Sequence, residues 1–521
     1  MTPDEMTIDQ KAADPSVEPA EEKKSAFPSA LSILVGVIVA VWLAAFFIPS
    51  GEYEFDVDGR PVPGSYHEVP SPLDTAERIQ DLLLSPINGL YGIQNAAGHV
   101  GPFNSGVLFG SAQVFLFILA IGGFMTVVFA TGAMDRGISL LAFRLRARGD
   151  VLIIVLSILF ALLGSVMTWS DEQLGFYALV VPLMLALRYD RLVAVAVLGV
   201  APSMGVIGST VTPFRIGIGS DAAGISIGDG IVLRLVTLVV VTTVMIVYTL
   251  RYARRVKADP EASLVGISAI DAEVARSADS AVIEPLTTRQ KIVLALTAFA
   301  FLLLAFSIVP WGSILNNTAV DPVTHETLVN PFPWELGWWL PELTAMFMVM
   351  ALIAGLVGGL GEAGISKHFM KGIVDFTGPA FLVAFARAVA VILTNTQTLD
   401  TVLNAMEGFV AGRSEIVFTL LLAVISLPLG FLVGAGSAGM ALVMPILAPL
   451  ADFAGVDRSL VVTIYSSFGG WLSMMMPTNA ILMASLVLAK VRFDTYLKWL
   501  LPLAGIILGI LIVFSVIGAL L

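Results

Sequence analysis

The sequence predicts an all-α integral membrane protein built as inverted repeats, with two re-entrant helical hairpins and two broken helices. Three observations carry this expectation. The chain is too apolar for an aqueous fold, its apolar runs have the length of a bilayer, and two stretches of about 80 residues match each other landmark by landmark.

Hydrophobic residues make up 57% of the 521 residues and charged ones 13%, with a mean hydropathy of +0.90. Soluble domains carry about 25% charged residues. A chain this long and this apolar cannot bury its oily surface in one aqueous core, which argues against a large soluble enzyme with buried helices. Repeated runs near 20 residues suit about 30 Å of hydrocarbon, where only helices or closed barrels satisfy the backbone. The chain has no Cys, which excludes disulfides, thiolate metal sites and a catalytic thiol. Its four His (His67, His99, His325, His368) form no HExxH pair. A net charge of −12 without a basic run argues against nucleic acid as a partner.

Residues 1–26 are polar and acidic and are expected to form a disordered cytoplasmic tail. They do not resemble a signal peptide, so the first apolar run is expected to be a retained helix. The first membrane half, 27–250, opens with a span near Phe27–Pro49 and a turn-rich loop, PSGEYEFDVDGRPVPGSYHEV. TAERIQDLLLSPINGLYGIQ is amphipathic and is expected to lie along the surface. A full span near Val107–Thr131 precedes a basic patch, Arg136, Arg144, Arg146 and Arg148. Two runs of short or marginal length, near Val151–Thr168 and Leu174–Leu187, flank the polar group WSDEQ. Leu192–Ile207 is interrupted by GSTVTPF, and a span near Ile231–Leu250 ends in RYARRVK. Residues 251–288 form a hydrophilic linker. The second half, 289–521, has full spans near Ile292–Val309, Leu343–Leu360, Gly372–Leu393 and Tyr496–Leu521. Between the last two, short runs Ile416–Val433 and Met440–Leu450 flank GAGSAG, and Leu460–Met475 is interrupted by MMPTNA. Trp311, Trp338 and Trp339 suit an interfacial aromatic belt.

Lys and Arg set the orientation. With the N-terminus in the cytoplasm, the Arg136–Arg148 patch, RYARRVK with Lys291, Lys367 with Lys371, and Lys490, Arg492 and Lys498 all fall inside. The loops after Pro49 and Pro310 fall outside, and the second carries no Lys or Arg. Parity alone does not separate hairpins from pairs of crossing helices; the short legs and polar tips favour hairpins.

The halves match in order. ATGAMDRGI faces NTQTLDTVL, pairing Asp135 with Asp400; FYALVVPLMLAL faces AGMALVMPILAPL, pairing Pro182 with Pro445. YDRLVAVAV faces VDRSLVVTI, pairing Asp190 and Arg191 with Asp457 and Arg458. GSTVTPF faces LSMMMPTN, pairing Ser209 with Ser473 and Pro213 with Pro477. The orientation places the two hairpins on opposite sides, so the copies are inverted. Short, Gly/Pro-interrupted helices at corresponding positions of inverted repeats point to a midplane substrate site, because backbone groups freed by a break need protein, water or ligand as partners.

PSGEY, PGSYHEV, SDEQLGFYALVVPLMLALRYD, GSTVTPF, DAAGISIGDGI, RYARRVK, PELTAMFMVMALIAGLVGG and SAGMALVMPILAPLAD together resemble the YfcC family. That family groups with the C4-dicarboxylate anaerobic carriers of the DcuC type in the ion transporter superfamily. The resemblance runs from about Phe27 to the end. It implies a scaffold plus transport domain, a homodimer formed through the scaffold, and elevator-type movement.

The candidate site residues lie at the four interruptions. Ser170, Asp171 and Glu172, with Gln173, form the first tip, where a carboxylate at membrane depth suits an ion or a cationic amine; a solvated loop is the competing reading. Gly208, Ser209, Thr210 and Thr212 precede Pro213 and offer hard oxygen ligands, unless their hydroxyls bond their own helix. Gly434, Gly436 and Ser437 form the second tip, where glycines allow backbone approach to a ligand or tight helix packing. Pro477, Thr478 and Asn479 form the second break. Ser209, Thr210, Thr478 and Asn479 are the candidate sodium ligands. Arg215 suits either a substrate carboxylate or an anchor at the membrane surface. Arg387, followed by Asn395, needs an anion, from substrate or protein.

The functional expectation is an ion-coupled, elevator-type secondary transporter in the inner (plasma) membrane for small carboxylate-bearing metabolites such as amino acids or C4-dicarboxylates. An exchanger of basic amino acids is the alternative, and a channel of the same architecture a weaker one. The coupling ion is Na⁺ or H⁺, since no Walker A motif is present. No other cofactor is expected. A membrane-embedded enzyme lacks any pair of acids, His cluster or activated nucleophile in register.

Overall fold

The structure is a computed structural model and describes residues 30–54, 61–145, 147–168, 172–266, 271, 284–315, 317–320, 327–410, 413–432, 436–477 and 479–520. It is predominantly helical. The first half holds α1 (Ala30–Ala44), α2 (Thr75–Tyr91), α3 (Ala112–Ala130), α4 (Ala133–Arg144), α5 (Gly149–Met167) and α6 (Tyr177–Ala186). It continues with α7 (Arg191–Ile207), α8 (Ile218–Ala223) and α9 (Ile231–Ala258). The second half holds α10 (Thr288–Ile308), α11 (Leu340–Gly358), α12 (Gly361–Asn395), α13 (Leu399–Val410) and α14 (Glu415–Leu432). It ends with α15 (Ser437–Phe453), α16 (Arg458–Ser473), α17 (Ala480–Ala489) and α18 (Phe493–Ala519). The loops carry short antiparallel ladders: Gly51–Glu52 with His67–Glu68, Ile93–Gln94 between Val100–Gly101 and Val107–Leu108, and Thr318–Val320 with Thr327–Val329.

Among the described residues, seven helices are long and apolar enough to cross a bilayer: α3, α5, α9, α10, α11, α12 and α18. The chain is a multi-pass membrane protein. Two expectations need correction. α5 has 19 residues, or about 28 Å of helix, so its length alone does not make it a half-span. α2, expected along the surface, is not simply laid on it. It packs along the C-terminal half of α12, where Gly89 sits so close that a Cβ would fall 2.3 Å from the Ala384 carbonyl oxygen. Arg78, Asp81, Ser85 and Asn88 are buried, while Ile79, Leu83, Ile87 and Tyr91 are exposed. The helix is amphipathic with its polar side turned inward, and that side is tied down: Arg78 Nη1 donates to Ala45 O (2.5 Å) and Asn395 Nδ2 to Asp81 Oδ1 (2.6 Å).

α3, α11 and α12 pack closely. A Cβ on Gly372 would fall 2.5 Å from the Gly122 carbonyl oxygen, and Phe124, Phe301 and Phe347 join α3, α10 and α11 with ring centroids 5.3–6.2 Å apart. α1 seats Ile38 against Ala388, Val389, Ile392 and Leu393 of α12. α5, α9, α14 and α18 pack with α7 and α16 in a second group, and α15 bridges it to α12.

A candidate site where a hairpin tip meets two helix breaks

α5 and α6 form an antiparallel hairpin whose base is closed by Tyr189, whose hydroxyl donates to Asp150 Oδ1 (2.8 Å). α14 and α15 form the second hairpin, and Gly455 at its end lies beside Glu415 at its start. The polar Asp190 and Asp457 cap the helices that follow: Asp190 Oδ1 accepts from Val193 N (3.1 Å) and Asp457 Oδ1 from Ser459 N (2.7 Å). Burial raises the Asp190 carboxyl above the usual carboxylate value, opposed by donors from Tyr252, Ser263 and the Val193 amide.

α7 stops at Ile207, and the chain turns helical again only at Pro213. Gly208 passes so close to α9 that a Cβ would lie 2.5 Å from Leu238 Cα. Pro213 has no N–H and holds Thr212 in extended backbone (φ −58°, ψ 125°). α16 stops at Ser473 and α17 starts at Ala480. Asn479 joins those two pieces: its Oδ1 accepts from Ile481 N (3.1 Å) and Leu482 N (3.3 Å), and its Nδ2 donates to Ser473 O (3.0 Å).

Backbone groups released by the first break find partners on α5. Ser165 Oγ donates to Gly208 O (3.0 Å) and accepts from Thr210 N (3.1 Å). This requires α5 and α7 to touch, and two glycines allow it: a Cβ on Gly164 would fall 2.2 Å from Pro202 O, and one on Gly205 2.0 Å from Ala161 O. One turn on, at the end of α5, Thr168 adopts a left-handed conformation (φ 53°) and its hydroxyl lies 2.8 Å from that of Thr212. The first break also touches the middle of α16. Ser467 Oγ donates to Ile207 O (2.7 Å), and Arg215 Nη1 donates to Ser466 O (3.1 Å).

A cavity of about 130 Å³ sits at this junction. Thr168 and Gln173 of the first tip, Ser203 of α7, Arg215, Ser473 and Asn479 of the second break, and Ser485 of α17 give it polar walls. Arg215 is 7% exposed and its Nε has no hydrogen-bond partner; Gln173 is 4% exposed and its Oε1 has none. Among the described residues Arg215 forms no ion pair. A buried guanidinium with donors to spare matches a carboxylate.

Of the sequence candidates, Gln173, Arg215 and Asn479 line this cavity directly. Gly208, Thr210 and Thr212 build its frame through Ser165 and Thr168. Ser209 returns its hydroxyl to Val206 O (2.7 Å), the self-bonding alternative. Pro477 is exposed. Gly436 and Ser437 start α15. Ser170, Asp171, Gly434 and Thr478 lie outside the described residues; Glu172 opens a 3₁₀ turn, Glu172–Phe176, and its side chain is likewise outside the description. Of the candidate sodium ligands, Ser209 bonds Val206, Thr210 bonds Ser165, and Asn479 spends its oxygen on α17. Arg387 and Asn395 lie apart from the cavity. Arg387 Nε donates to Phe109 O (3.0 Å) and its guanidinium stacks over the Phe109 ring. Asn395 accepts from Val100 N (2.7 Å) and borders a wider hollow of about 610 Å³ with Glu52, His99 and Asp400. Sequence reasoning missed Ser165, Thr168, Ser203 and Ser485. The closely spaced small residues Gly164–Ser165 and Ser203–Gly205 were the available signal.

Comparison with known proteins gives a consistent result. The model of the C4-dicarboxylate anaerobic carrier (DcuC) family matches residues 27–520. A protein of Escherichia coli (strain K12) named "Putative basic amino acid antiporter YfcC" is 29% identical over 527 residues, covering 95% of this chain and 97% of its own. An uncharacterized protein of Haemophilus influenzae is 27% identical, covering 94% and 96%. The fold resembles the YdaH transporter of Alcanivorax borkumensis (TM-score 0.63, 14% identity, 94% of this chain and 98% of that one). It equally resembles MtrF of Neisseria gonorrhoeae, described among antimetabolite efflux pumps (TM-score 0.63, 16% identity, 95% of each chain).

Proposed function

The chain belongs to the C4-dicarboxylate anaerobic carrier family and is a membrane transporter of the DcuC and YfcC type; from that premise we propose that it is an ion-coupled secondary active transporter of small carboxylate-bearing metabolites, bound at Arg215 between the first hairpin tip and the two breaks. The observation that carries this is the cavity itself. A hairpin tip that meets the middles of two broken helices ends inside the bundle, as a re-entrant hairpin does, and the matched halves supply one break each. This supports the inverted-repeat reading. At roughly 30 Å³ per water, about 130 Å³ holds some four waters, enough for a carboxylate and a short chain. Larger substrates need the tip to move, which suits a gate. Arg215 anchors the carboxylate through its free donors, Gln173 and the hydroxyls of Thr168 and Ser485 select the remaining polar atoms, and the ion binds at the tip or the breaks. Movement of a transport domain against a dimeric scaffold would carry the site across.

Amino acids, C4-dicarboxylates and exchange of basic amino acids all fit a carboxylate anchor; the printed name of the Escherichia coli relative favours the basic amino acids. Uptake of labelled L-arginine, L-aspartate and succinate into proteoliposomes, with Na⁺ and H⁺ gradients imposed separately, tests the reading. Accumulation above equilibrium under one gradient is expected. Accumulation only in vesicles preloaded with a second amino acid identifies exchange instead, and saturation-free flux identifies a channel.

A further inference from the structure

The Asp–Arg pairs that mark the two halves do more than cap helices. Arg458, first residue of α16, donates Nη1 to the carbonyl oxygen of Ala223 (2.9 Å), the last residue of α8. Arg191, first residue of α7, donates Nη1 to the carbonyl oxygen of Ala489 (3.3 Å), the last residue of α17. Each arginine therefore holds the far end of the other half's second helix piece. The carbonyls at a helix C-terminus carry partial negative charge and lack intrahelical donors, so a guanidinium fits there. Both pieces end on a left-handed residue, Gly224 (φ 70°) and Lys490 (φ 54°). The same pieces supply cavity walls: Arg215 just before α8, Asn479 at the start of α17, and Ser485 within it.

The two clasps differ in one respect. Arg458 is held by Asp452 of its own hairpin, with Nε 3.0 Å from Oδ1 and Nη2 2.5 Å from Oδ2. The first half has no acid between Pro182 and Asp190. Arg191 takes its carboxylate from the linker instead: its Nε reaches Asp271 Oδ1 at 2.7 Å, and its Nη2 contacts the same oxygen. Both side chains are buried there, 11% and 5% exposed. The linker also docks on the other member of the pair. Ser263 Oγ donates to Asp190 Oδ2 (2.7 Å), and Tyr252, whose hydroxyl donates to the same oxygen, accepts from Leu264 N (3.1 Å).

We propose that Asp271 is a releasable positioning residue: paired with Arg191 it locks that side chain onto α17, and when the pair is broken, α17 and its wall of the cavity are freed while α8 stays clasped. Losing one partner of a buried pair leaves an uncompensated charge, so Arg191 turns toward water and releases Ala489. This is a property of the chain's own contacts. Its meaning for transport rests on the proposed function, but its test does not.

The chain contains no Cys, so single thiols report without background. S485C on α17 and S220C on α8 replace fully buried serines, and their rates of labelling by a small maleimide measure the opening of each piece in the full-length purified protein. D271N is expected to speed S485C labelling about ten-fold, the order expected for a lost charged hydrogen bond, with S220C unchanged. D452N is expected to do the reverse. R191Q should match D271N, and the double variant should add nothing further, as coupled partners do. An unchanged S485C rate in D271N, equal acceleration at both thiols, or additive effects of R191Q and D271N would each overturn the proposal. If D452N fails to fold, D271N measured at both thiols decides alone.

Discussion

Arg215 concentrates the chemistry of the site in one side chain. It is buried, it spends one donor on the Ser466 carbonyl, and its Nε has no partner. Charge alone left its role open in sequence, because an arginine beyond a broken helix fits a surface anchor equally well; in the structure it is buried against α16. R215Q is expected to weaken carboxylate binding at least thirty-fold, about the 2 kcal/mol or more that truncating a buried charge partner costs, and R215K to recover part of it because a point charge replaces a fork. Titration of purified protein by thermal shift measures both. Ser165 makes a different prediction. Its hydroxyl serves Gly208 O and Thr210 N, so S165A is expected to raise the substrate KM about ten-fold, since each unsatisfied group costs about 1 kcal/mol or more, with expression unchanged. Serines such as Ser165 and Ser485 were illegible in the sequence, since a serine in an apolar helix usually bonds its own backbone, as Ser209 does.

Among the elements, the breaks were the most legible. GSTVTPF and MMPTNA place Gly, Pro and capping residues inside apolar runs, and the helices stop there because Gly208, Pro213 and Asn479 make continuation costly. Hairpin legs were harder, since 19 apolar residues fit a leg or a span equally well. α2 was misjudged because periodicity reports that a helix has two faces and not which face is buried; here Asn395, Asp81, Arg78 and the Ala45 carbonyl satisfy a polar face turned inward. The α5–α7 crossing that presents Ser165 depends on bare backbone at Gly164 and Gly205. G205A places a methyl 2.0 Å from Ala161 O and is expected to cost about 1–3 kcal/mol, seen as a lower melting temperature in detergent. G509A, where nothing lies within 4 Å, is expected to leave it unchanged or raise it slightly.

At the scale of the molecule, composition was enough for the membrane class, and the order of Asp135/Asp400, Pro182/Pro445 and Asp190–Arg191/Asp457–Arg458 was enough to align the halves. What the alignment could not carry was which matched residues meet across the halves: Arg191 with Ala489, Arg458 with Ala223, Ser467 with Ile207. Those contacts join the first half of the chain to the second, and one sequence carries no trace of them. A small polar cavity lies where the first tip, the first break and the second break line one space, and the proposal is that Arg215 makes a carboxylate the group it recognises. The most direct measurement compares proteoliposome uptake of L-arginine and succinate with that of agmatine and succinamide, which lack the carboxylates, in the native protein and in R215Q. Saturable uptake confined to carboxylates and lost in R215Q is the predicted result. Equal uptake of agmatine, or unchanged uptake by R215Q, would contradict a carboxylate site at Arg215.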